Sequence, residues 1–231
     1  MRNLRKRGRE DPLGLLSRAS DKFHNLWLAS TYPFAAIGKQ VWIHPSCDLR
    51  RSIASYVWIG DRVMIERNVW INIAEIPDNG EPAIILEDDC KLQRGCVISA
   101  KNQIHIERNT IFGPSVFVTD HDHAYEDVTS PIGDQGQTPG GTVRIEQGSW
   151  IGYSAAIVCS RGALVIGQHS IVGANAMVAR SIRPCSVVVG NPARTVKHYD
   201  PAQEKWLLGG GPNRNADAQP DGPGQPDLRQ P

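Results

Sequence analysis

The sequence lacks a long apolar run and has almost no net charge. No stretch approaches the roughly 18 to 20 apolar residues that cross a bilayer, and the basic start of the chain is not followed by the apolar core of a signal peptide. The 25 lysines and arginines nearly balance the 24 aspartates and glutamates, so the total charge does not call for a nucleic acid as partner. We therefore expect a soluble, cytoplasmic protein.

The cysteines are few and poorly spaced for crosslinks or metal ligands. There are five cysteines, an odd number, and no two of them form a C-x-x-C pair. This pattern argues against a disulfide framework and against a structural zinc site. We expect reduced thiols and no bound metal.

Both ends of the chain differ in composition from its middle. The first nine residues include five cations: Arg2, Arg5, Lys6, Arg7 and Arg9. We interpret this basic arm as a solvated tail, of a kind that can make weak contact with an anionic membrane surface. Within residues 1–36, helical spacing of apolar residues predicts a capping helix with one apolar face: Leu13, Leu16, Phe23, Leu26 and Trp27. Residues 201–231 predict a short helix remnant followed by a disordered tail.

In the middle of the chain an aliphatic or aromatic residue recurs every six positions. The pattern comprises 18 positions in six sets of three: Ile37, Ile43, Leu49; Ile59, Ile65, Ile71; Leu86, Leu92, Ile98; Ile106, Phe112, Val118; Ile145, Ile151, Ile157; and Ile166, Val172, Val178. A small or β-branched residue usually follows four places on, and three of the thiols (Cys47, Cys90 and Cys96) occupy that position, so we predict them as core residues. A period of six is neither helical nor two-fold alternating, and it is typical of a parallel β-helix built from hexapeptides.

The insertions in this pattern all fall at one place. Inside every set the spacing is six, whereas from one set to the next it is 10, 15, 8, 27 and 9 residues. Three hexapeptides therefore form one triangular coil, and all the extra residues leave the coil at the same corner. We predict an all-β fold, a β-helix over residues 37–200 that carries one long loop at residues 119–142.

The stretch T-D-H-D-H-A-Y-E-D-V opens this long loop. His121 and His123 thus lie where the rigid coil gives way to a loop, and loops placed on a rigid scaffold often carry function. Because a neutral imidazole can accept a proton near neutral pH, we predict a proton-transfer site here.

The chain resembles the hexapeptide-repeat acetyltransferases, in particular the sugar O-acetyltransferases of the galactoside, maltose and nodulation-factor type and their polysaccharide-modifying relatives. The resemblance rests on four stretches: I-E-R-N-T-I-F-G-P-S-V-F-V-T-D-H-D-H (106–123), S-W-I-G (149–152), I-G-Q-H-S-I-V-G-A-N-A-M-V-A-R (166–180) and V-G-N-P-A-R-T-V-K (189–197). It implies a left-handed parallel β-helix and a homotrimer, in which acetyl-CoA and an acceptor meet in a cleft between neighbouring subunits.

The function that this resemblance implies is acetyl-CoA-dependent transfer of an acetyl group to a hydroxyl of a carbohydrate, such as a sugar, an exopolysaccharide or a glycolipid precursor. The family's catalytic histidine lies 17 residues after the isoleucine that opens its coil, and counting from Ile106 selects His123. The T-D pair before the first histidine points instead to His121. We prefer His123 as the general base. Nearby carboxylates that could orient it, among which the sequence does not choose, are Asp120, Asp122 and Glu126.

Further positions of the site are implied by the resemblance. Acceptor-binding candidates are Gln93, Asp120 and Asp122. Cofactor-binding candidates are Trp150 on the cleft, Gly152 and Ala174 beside the pantetheine arm, and the phosphate-facing cations Arg180, Arg194 and Lys197. The acceptor-binding asparagine of the galactoside enzymes falls on Gln93, and a nearby aspartate falls on Lys101, which predicts an acceptor other than a simple galactoside.

Three alternatives stay open at the level of the sequence. One is an O-acetyltransferase acting on a xenobiotic such as an antibiotic. Another is a zinc enzyme of the γ-type carbonic anhydrase kind, with His105, His121 and His123 as ligands. The third is a scaffold trimer without catalysis, which a failure to bind CoA would favour.

Overall fold

The computed structural model describes residues 12–209, with the side chains of residues 12–19, 21 and 22 left out of that description. The predicted basic arm and the predicted C-terminal tail beyond residue 209 lie outside the described residues. The helix α1 spans Pro12–Thr31. Two short 3₁₀ segments span Arg51–Tyr56 and Ile132–Asp134.

Short strands make up the rest of the regular structure. They are β1 (Ala36–Ile37), β2 (Trp42–Ile43), β3 (Asp48–Leu49), β4 (Val57–Ile59), β5 (Met64–Ile65), β6 (Trp70–Ile73), β7 (Ile84–Leu86), β8 (Lys91–Leu92), β9 (Val97–Ala100), β10 (Gln103–Ile106), β11 (Ile111–Phe112), β12 (Phe117–Thr119), β13 (Gly140–Ile145), β14 (Trp150–Ile151), β15 (Ala156–Val158), β16 (Arg161–Ile166), β17 (Ile171–Val172), β18 (Met177–Val178), β19 (Ser186–Val189), β20 (Arg194–Asp200) and β21 (Lys205–Leu208).

These strands stack into three sheets that the chain visits in rotation. The first sheet contains β1, β4, β7, β10, β13 and β16, and the third contains β3, β6, β9, β12, β15 and β18. The second contains β2, β5, β8, β11, β14 and β17, followed by β19, β20 and β21. Pairing between successive coils is parallel, and each residue of the six-residue pattern lies opposite its counterpart one coil away, as Ile106 lies between Leu86 and Ile145. The predicted parallel β-helix is confirmed.

The core is the interior of this triangular coil. Of the 18 patterned residues, 17 are buried and Ile37 is partly buried against them. Full burial of one such side chain stabilises the fold by about 1.5 to 3 kcal/mol. The third residue after many patterned positions has a left-handed backbone, for example Asn68 with φ 58° and Asn109 with φ 58°, which turns the chain sharply from one sheet to the next.

All the insertions leave at the edge where the chain passes from the third sheet to the first, which we call the third corner (residues 50–56, 74–83, 101–102, 120–139 and 159–160). The sequence predicts this placement, and the structure confirms it. The first corner joins the first sheet to the second, and the second corner joins the second sheet to the third. Their loops are short and nearly uniform, so the third corner alone has room for an elaborated site.

A partial seventh coil extends the stack beyond the predicted six. Ile182 pairs in parallel with Ile166, and Val188 pairs with Val172. The chain then reverses into the antiparallel pair β20–β21. The predicted short helix at the start of residues 201–231 is wrong, because Lys205–Leu208 is a strand. Its backbone groups pair with those of β20, and the rings of Tyr199 and Trp206 lie 5.8 Å apart across the two strands.

The helix α1 packs on the open edge of the first coil. Asn25 accepts a hydrogen bond from the Ile43 N–H at 2.7 Å and donates one to the Ile43 carbonyl at 3.2 Å, which satisfies backbone groups that an edge strand leaves unpaired. This contact sets the rotation of the helix, so that Leu28 is buried. The predicted inward face is wrong for Phe23, Leu26 and Trp27, whose side chains are exposed.

Among the described residues, no helix combines the length and the apolar character needed to cross a membrane.

Candidate active site

The two histidines follow the end of β12 in the third sheet. Thr119, the last residue of that strand, lies between Ser99 of the preceding coil and Val158 of the next. The residues that come directly after it therefore start from a backbone fixed on both sides. They enter the third corner, as the six-residue pattern predicts.

Asp120 is fully buried, with no solvent exposure. Its carboxylate accepts hydrogen bonds from the backbone N–H groups of Lys101 at 2.6 Å and Asn102 at 2.8 Å. Its carbonyl accepts another from the N–H of Gly141 at 2.6 Å, where the loop returns. Asp120 thus ties together the preceding coil, the start of the loop and its end.

The ring of His121 lies against this buried carboxylate. Its Nδ1 atom is 3.0 Å from Asp120 Oδ1 and 3.3 Å from Thr119 Oγ1, and the side chain is 11% exposed. A carboxylate can only accept, so Nδ1 carries the proton and Nε2 keeps its lone pair in the neutral ring. Nε2 makes no hydrogen bond within the described part of the chain. A neutral ring held in this way has a lone pair on Nε2 that can accept a proton.

His123 has a different setting. It lies in the stem of a hairpin, where its backbone bridges Gln137, and its N–H donates to Asp122 Oδ1 at 2.8 Å. Its ring is exposed and has no partner among residues 12–209. Asp122 is also exposed, and Glu126 pairs with Arg161 at 3.3 Å. Of the three carboxylates that the sequence offers, Asp120 is the one that contacts a histidine ring.

The long loop is held in shape by its own polar contacts. Asp127 accepts hydrogen bonds from the hydroxyls of Thr129 at 2.6 Å and Ser130 at 2.7 Å and from the N–H of Thr129 at 2.8 Å. These donors lower the pKa of Asp127 to about 2, with the Thr129 hydroxyl as the largest cause. Gln135 donates to the carbonyls of Asp127 at 2.8 Å and Ser130 at 3.0 Å.

The positions assigned to the cofactor lie mostly at other edges of the same chain. Trp150 is exposed on β14, Arg194 and Lys197 belong to β20, and Gly152 and Ala174 lie at the second corner. Arg180, which follows β18, shares the third corner with the histidines. With the exception of Arg180, one chain therefore does not bring the cofactor positions together with the histidines.

Gly152 also has a structural reason to be glycine. A Cβ atom there would lie 2.7 Å from the Val172 carbonyl oxygen and 2.8 Å from the Ala174 backbone nitrogen. Contacts this short do not occur for real Cβ atoms, so the stacking of neighbouring coils excludes a side chain at this position whatever else binds there.

Gln93 and Lys101, the two positions that depart from the galactoside pattern, lie at different corners of the coil. Gln93 lies at the second corner, away from the histidines. Lys101 lies at the third corner, where its Nζ atom pairs with Glu75 at 3.1 Å and donates to the Thr138 carbonyl at 2.9 Å. Lys101 therefore links the insertion at residues 74–83 to the base of the long loop.

A polar cleft of about 470 Å³ opens beside this lysine. It is lined by Pro77, Asp78, Asn79, Lys101, Asn102 and Thr142, among others. Two residues of its lining, Lys101 and Asn102, donate their backbone N–H groups to Asp120, although neither Asp120 nor His121 lines the cleft itself. The sequence does not reveal this cleft, since its walls come from three separate coils.

His105 lies elsewhere, on the outer face of the first sheet. Its Nε2 atom is 2.8 Å from Glu87 Oε1, in a cleft that Trp58 and Arg108 also line. Over residues 12–209 there is no group of three or more His, Cys, Asp and Glu side chains placed to hold a metal ion. The three histidines of the zinc hypothesis are thus not gathered within one chain.

The outer faces of the second and third sheets carry columns that are apolar except for Lys91 and Asp48; we call them the apolar columns. On the second sheet the outward residues in register are Trp42, Met64, Lys91, Ile111, Trp150, Ile171 and Val187. On the third they are Asp48, Trp70, Val97, Phe117, Ala156 and Met177. Every member except Val187 directly precedes one of the 18 patterned residues, so the six-residue spacing alone could have indicated these columns, which are not among the predictions above.

The chain is similar in sequence to several known proteins. No protein-family model matches the chain. It is 32% identical over 165 residues to a probable acetyltransferase of Mycobacterium tuberculosis, covering 70% of this chain and 49% of that protein. It is 27% identical over 133 residues to WbbJ of Escherichia coli, assigned to lipopolysaccharide biosynthesis as an O-acetyl transferase, covering 55% and 66%. A chloramphenicol acetyltransferase of Agrobacterium fabrum is 27% identical over 135 residues, covering 58% and 60%. The chain spans about half the length of the mycobacterial relative and less than two thirds of the other two.

Solved structures share the fold. AntD, an N-acyltransferase from Bacillus cereus in complex with dTDP and 3-hydroxybutyryl-CoA, has a TM-score of 0.61 at 17% identity, covering 79% of this chain and 90% of that one. A maltose O-acetyltransferase from Clostridium difficile has a TM-score of 0.52 at 22% identity, covering 82% and 90%. A hexapeptide-repeat-containing acetyltransferase from Vibrio cholerae, complexed with acetyl-CoA, has a TM-score of 0.51 at 21% identity, covering 79% and 80%.

The chain is therefore a left-handed β-helix of hexapeptide repeats, and its resemblance to the hexapeptide-repeat acetyltransferases is confirmed in both fold and sequence.

Proposed function

We propose that this chain is an acetyl-CoA-dependent O-acetyltransferase that acetylates a hydroxyl of a carbohydrate. The observation that carries the proposal is the contact of the His121 ring with the buried Asp120 carboxylate, at the end of a strand held on both sides. The relatives support it, since they include acetyltransferases and WbbJ, an O-acetyl transferase of lipopolysaccharide biosynthesis.

In the proposed reaction one proton moves twice. His121 Nε2 accepts the proton of the acceptor hydroxyl as its oxygen attacks the thioester carbonyl carbon of acetyl-CoA. The tetrahedral intermediate then collapses, the carbon–sulfur bond breaks, and the imidazolium returns the proton to the CoA thiolate. The products are the acetyl ester and free CoA. Asp120 orients the ring and stabilises its positive charge, and general-base catalysis of this kind contributes about 10² to 10⁴ in rate.

The choice of His121 departs from the preference that residue counting gives to His123. We favour His121 because its ring has an orienting partner and little freedom, whereas the His123 ring is exposed in the single chain. A base must be held within hydrogen-bond reach of the proton that it removes. His123 stays the competing prediction, and the two variants below separate them.

We propose that a homotrimer completes the site. The columns on the second and third sheets expose large apolar side chains, including Trp70, Phe117 and Trp150, and burial of such surface drives association. A neighbouring copy would bring its second-sheet edge, with Trp150, Gly152, Ala174, Arg194 and Lys197, toward the histidines of the first. Acetyl-CoA would then lie between subunits, with its phosphates near the cations.

The polar cleft beside Lys101 is the proposed acceptor site. Its carboxamide, carboxylate and hydroxyl groups suit a ligand rich in hydroxyls, and its lining residues Lys101 and Asn102 hold the Asp120 carboxylate through their backbone N–H groups. Asp122, exposed at the entrance of the long loop, stays a candidate for acceptor contact, as does Gln93 from a neighbouring copy.

A second candidate acceptor class is an antibiotic hydroxyl. The 27% identity to a chloramphenicol acetyltransferase is the reason to include an antibiotic among the acceptors tested. Amino sugars also belong in the test, because AntD, which shares the fold, is an N-acyltransferase. A hydroxyl acceptor predicts an ester product, and an amine predicts an amide, so mass spectrometry with mild alkaline hydrolysis distinguishes them.

The test is acetyl-CoA consumption over oligosaccharides, nucleotide-sugars, amino sugars and chloramphenicol. We expect turnover with a carbohydrate hydroxyl, and a loss of about 10² to 10⁴ in kcat for His121→Ala, with CoA binding retained. His123→Ala is the matched control, two residues along the same loop. A loss confined to His123→Ala would reverse the assignment of the base. Absence of CoA binding by the wild-type protein would overturn the proposed function.

A further inference from the structure

One end of the solenoid exposes an apolar helix face, and the most basic stretch of the sequence directly precedes this helix. The two features adjoin in sequence, and neither takes part in the acetyl-transfer site. We propose that this N-terminal end docks on a membrane surface that contains anionic phospholipids.

The apolar face belongs to α1. Phe23 is 73% exposed, Leu26 is 70% exposed and Trp27 is 47% exposed. Their spacing of three and four places them on one side of the helix, away from Asn25 and Leu28, which hold the helix on the coil. The spacing continues toward the N-terminus in the sequence with Leu16 and Leu13. A 20-residue helix is about 30 Å long, and no other described element covers the exposed part of this face.

Next to this face lie two aromatic side chains, Tyr32 and Phe34, which are partly buried against the core of the first coil. The rings of Trp27 and Tyr32 lie 5.9 Å apart, and those of Tyr32 and Phe34 lie 5.8 Å apart. Tryptophan and tyrosine are favoured at the boundary between headgroups and acyl chains, because each has an apolar body and a polar tip. The composition of this end therefore fits a lipid interface better than it fits water.

The charge of the chain is strongly uneven. Residues 1–51 contain 10 lysines and arginines and 4 aspartates and glutamates, a net charge of +6. Because the whole chain has 25 and 24, residues 52–231 contain 15 and 20, a net charge of −5. An anionic surface would attract the first part and repel the second, which orients the solenoid with α1 toward the membrane.

An exposed apolar helix face together with adjoining cations favours a lipid surface over a soluble polyanion as the partner. A polyanion would pair with the cations but would gain nothing from exposed phenylalanine, leucine and tryptophan side chains. A helix with an apolar stripe and adjoining cations binds in the plane of the interface, where acyl chains cover the rings and headgroups pair with the charges. In the cyclic trimer proposed above, rotation about the axis would leave all three helices at the same end, and three weak contacts would act together.

The test is co-sedimentation of the full-length protein with vesicles, without acetyl-CoA. We expect binding to phosphatidylglycerol–phosphatidylcholine vesicles and much weaker binding to pure phosphatidylcholine. Phe23→Ser with Leu26→Ser should lower the partition coefficient by at least about tenfold, since both side chains would be buried in lipid. Arg5→Gln with Lys6→Gln and Arg7→Gln should lower it by about a hundredfold at low salt, because each cation near an anionic surface contributes about fivefold.

The matched control is Leu208→Ser, an exposed leucine (82%) at the opposite end of the solenoid, which should bind vesicles as wild type does. Circular dichroism checks that each variant folds. Equal binding by wild type and the Phe23/Leu26 variant, or no binding by wild type, would overturn the proposal. A change of sedimentation coefficient in the Phe23/Leu26 variant would also overturn it, since the face would then be an interface between copies. None of these readings depends on catalysis, so failure here leaves the proposed function untouched.

Discussion

The Nδ1 atom of His121 lies 3.0 Å from Oδ1 of Asp120, a carboxylate with no solvent exposure. The same carboxylate accepts the backbone N–H groups of Lys101 and Asn102. A single side chain therefore fastens the long loop to the preceding coil and fixes the orientation of the imidazole. Stability and ring orientation are coupled at this residue.

Replacement of Asp120 by asparagine separates the two roles. The carboxamide of Asp120→Asn keeps one acceptor oxygen, but its NH₂ group would favour the tautomer with the lone pair on Nδ1 of the ring. We expect kcat to fall by at least about tenfold and the pH–rate profile to shift, with a smaller loss in the urea midpoint than for Asp120→Ala. Asp134→Asn, which changes an exposed carboxylate of the same loop, is the control and should keep the wild-type profile. Unchanged kcat in Asp120→Asn would show that the carboxylate does not act through the histidine.

The conformation of the long loop should depend on Asp127. Asp127→Ala removes the acceptor for Thr129 and Ser130, so we expect faster amide hydrogen exchange over residues 126–136 and a higher KM for the acceptor. Because the pKa of Asp127 is lowered to about 2, its contribution is complete above pH about 4 and is lost as the pH falls through about 2. Asp134→Ala in the same loop is the control. Equal exchange in both variants would mean that the Asp127 contacts do not order the loop.

The buried thiols predict an alkaline loss of stability. Burial raises the pKa of the Cys90 thiol to about 12 and the pKa values of Cys47 and Cys96 to about 11. In the unfolded chain these thiols ionise near pH 8.5, so from about that pH upward the unfolded state releases protons that the folded state keeps, and the free energy of unfolding falls until the folded pKa values are reached. Urea titrations across this range check the slope.

Cys90→Ala provides the control for that slope, which should become shallower. Ellman's reagent at about pH 8 should leave Cys47, Cys90 and Cys96 unmodified in the folded protein, because the thiolate is the reactive species. Five thiols should react in urea. Rapid reaction of Cys90 in the folded state would contradict its burial.

The proposed trimer depends on the apolar columns. Phe117→Asp would place a charge in the interface, and we expect a shift from trimer to monomer in sedimentation velocity together with loss of acetyl transfer. Ile76→Asp, at an exposed position in a third-corner insertion, should leave the mass unchanged. A wild-type monomer, or a Phe117→Asp trimer, would contradict the proposed interface.

The six-residue repeat predicts most of the fold. A residue such as Ile106 is predicted to be buried because its position in a six-residue period leaves one orientation for an apolar side chain, and the period also fixes its neighbours one coil above and below. The rotation of α1 was not predictable in this way, since it follows from Asn25 meeting the unpaired backbone of Ile43. The C-terminal hairpin was missed for a similar reason, because Lys205–Leu208 acquires its strand conformation from β20.

The sequence by itself determined the three-sided coil, the corner at which every insertion leaves, and the position of the T-D-H-D-H stretch at the start of the longest one, because a strict period constrains both burial and register. The tertiary structure decided which carboxylate meets which imidazole. Asp120 and His121 adjoin in sequence as Asp122 and His123 do, but only the first pair lies where Lys101 and Asn102, one coil away, can hold the carboxylate in place. Spacing along the chain does not predict this contact, because the contact depends on which backbone N–H groups the neighbouring coil leaves free.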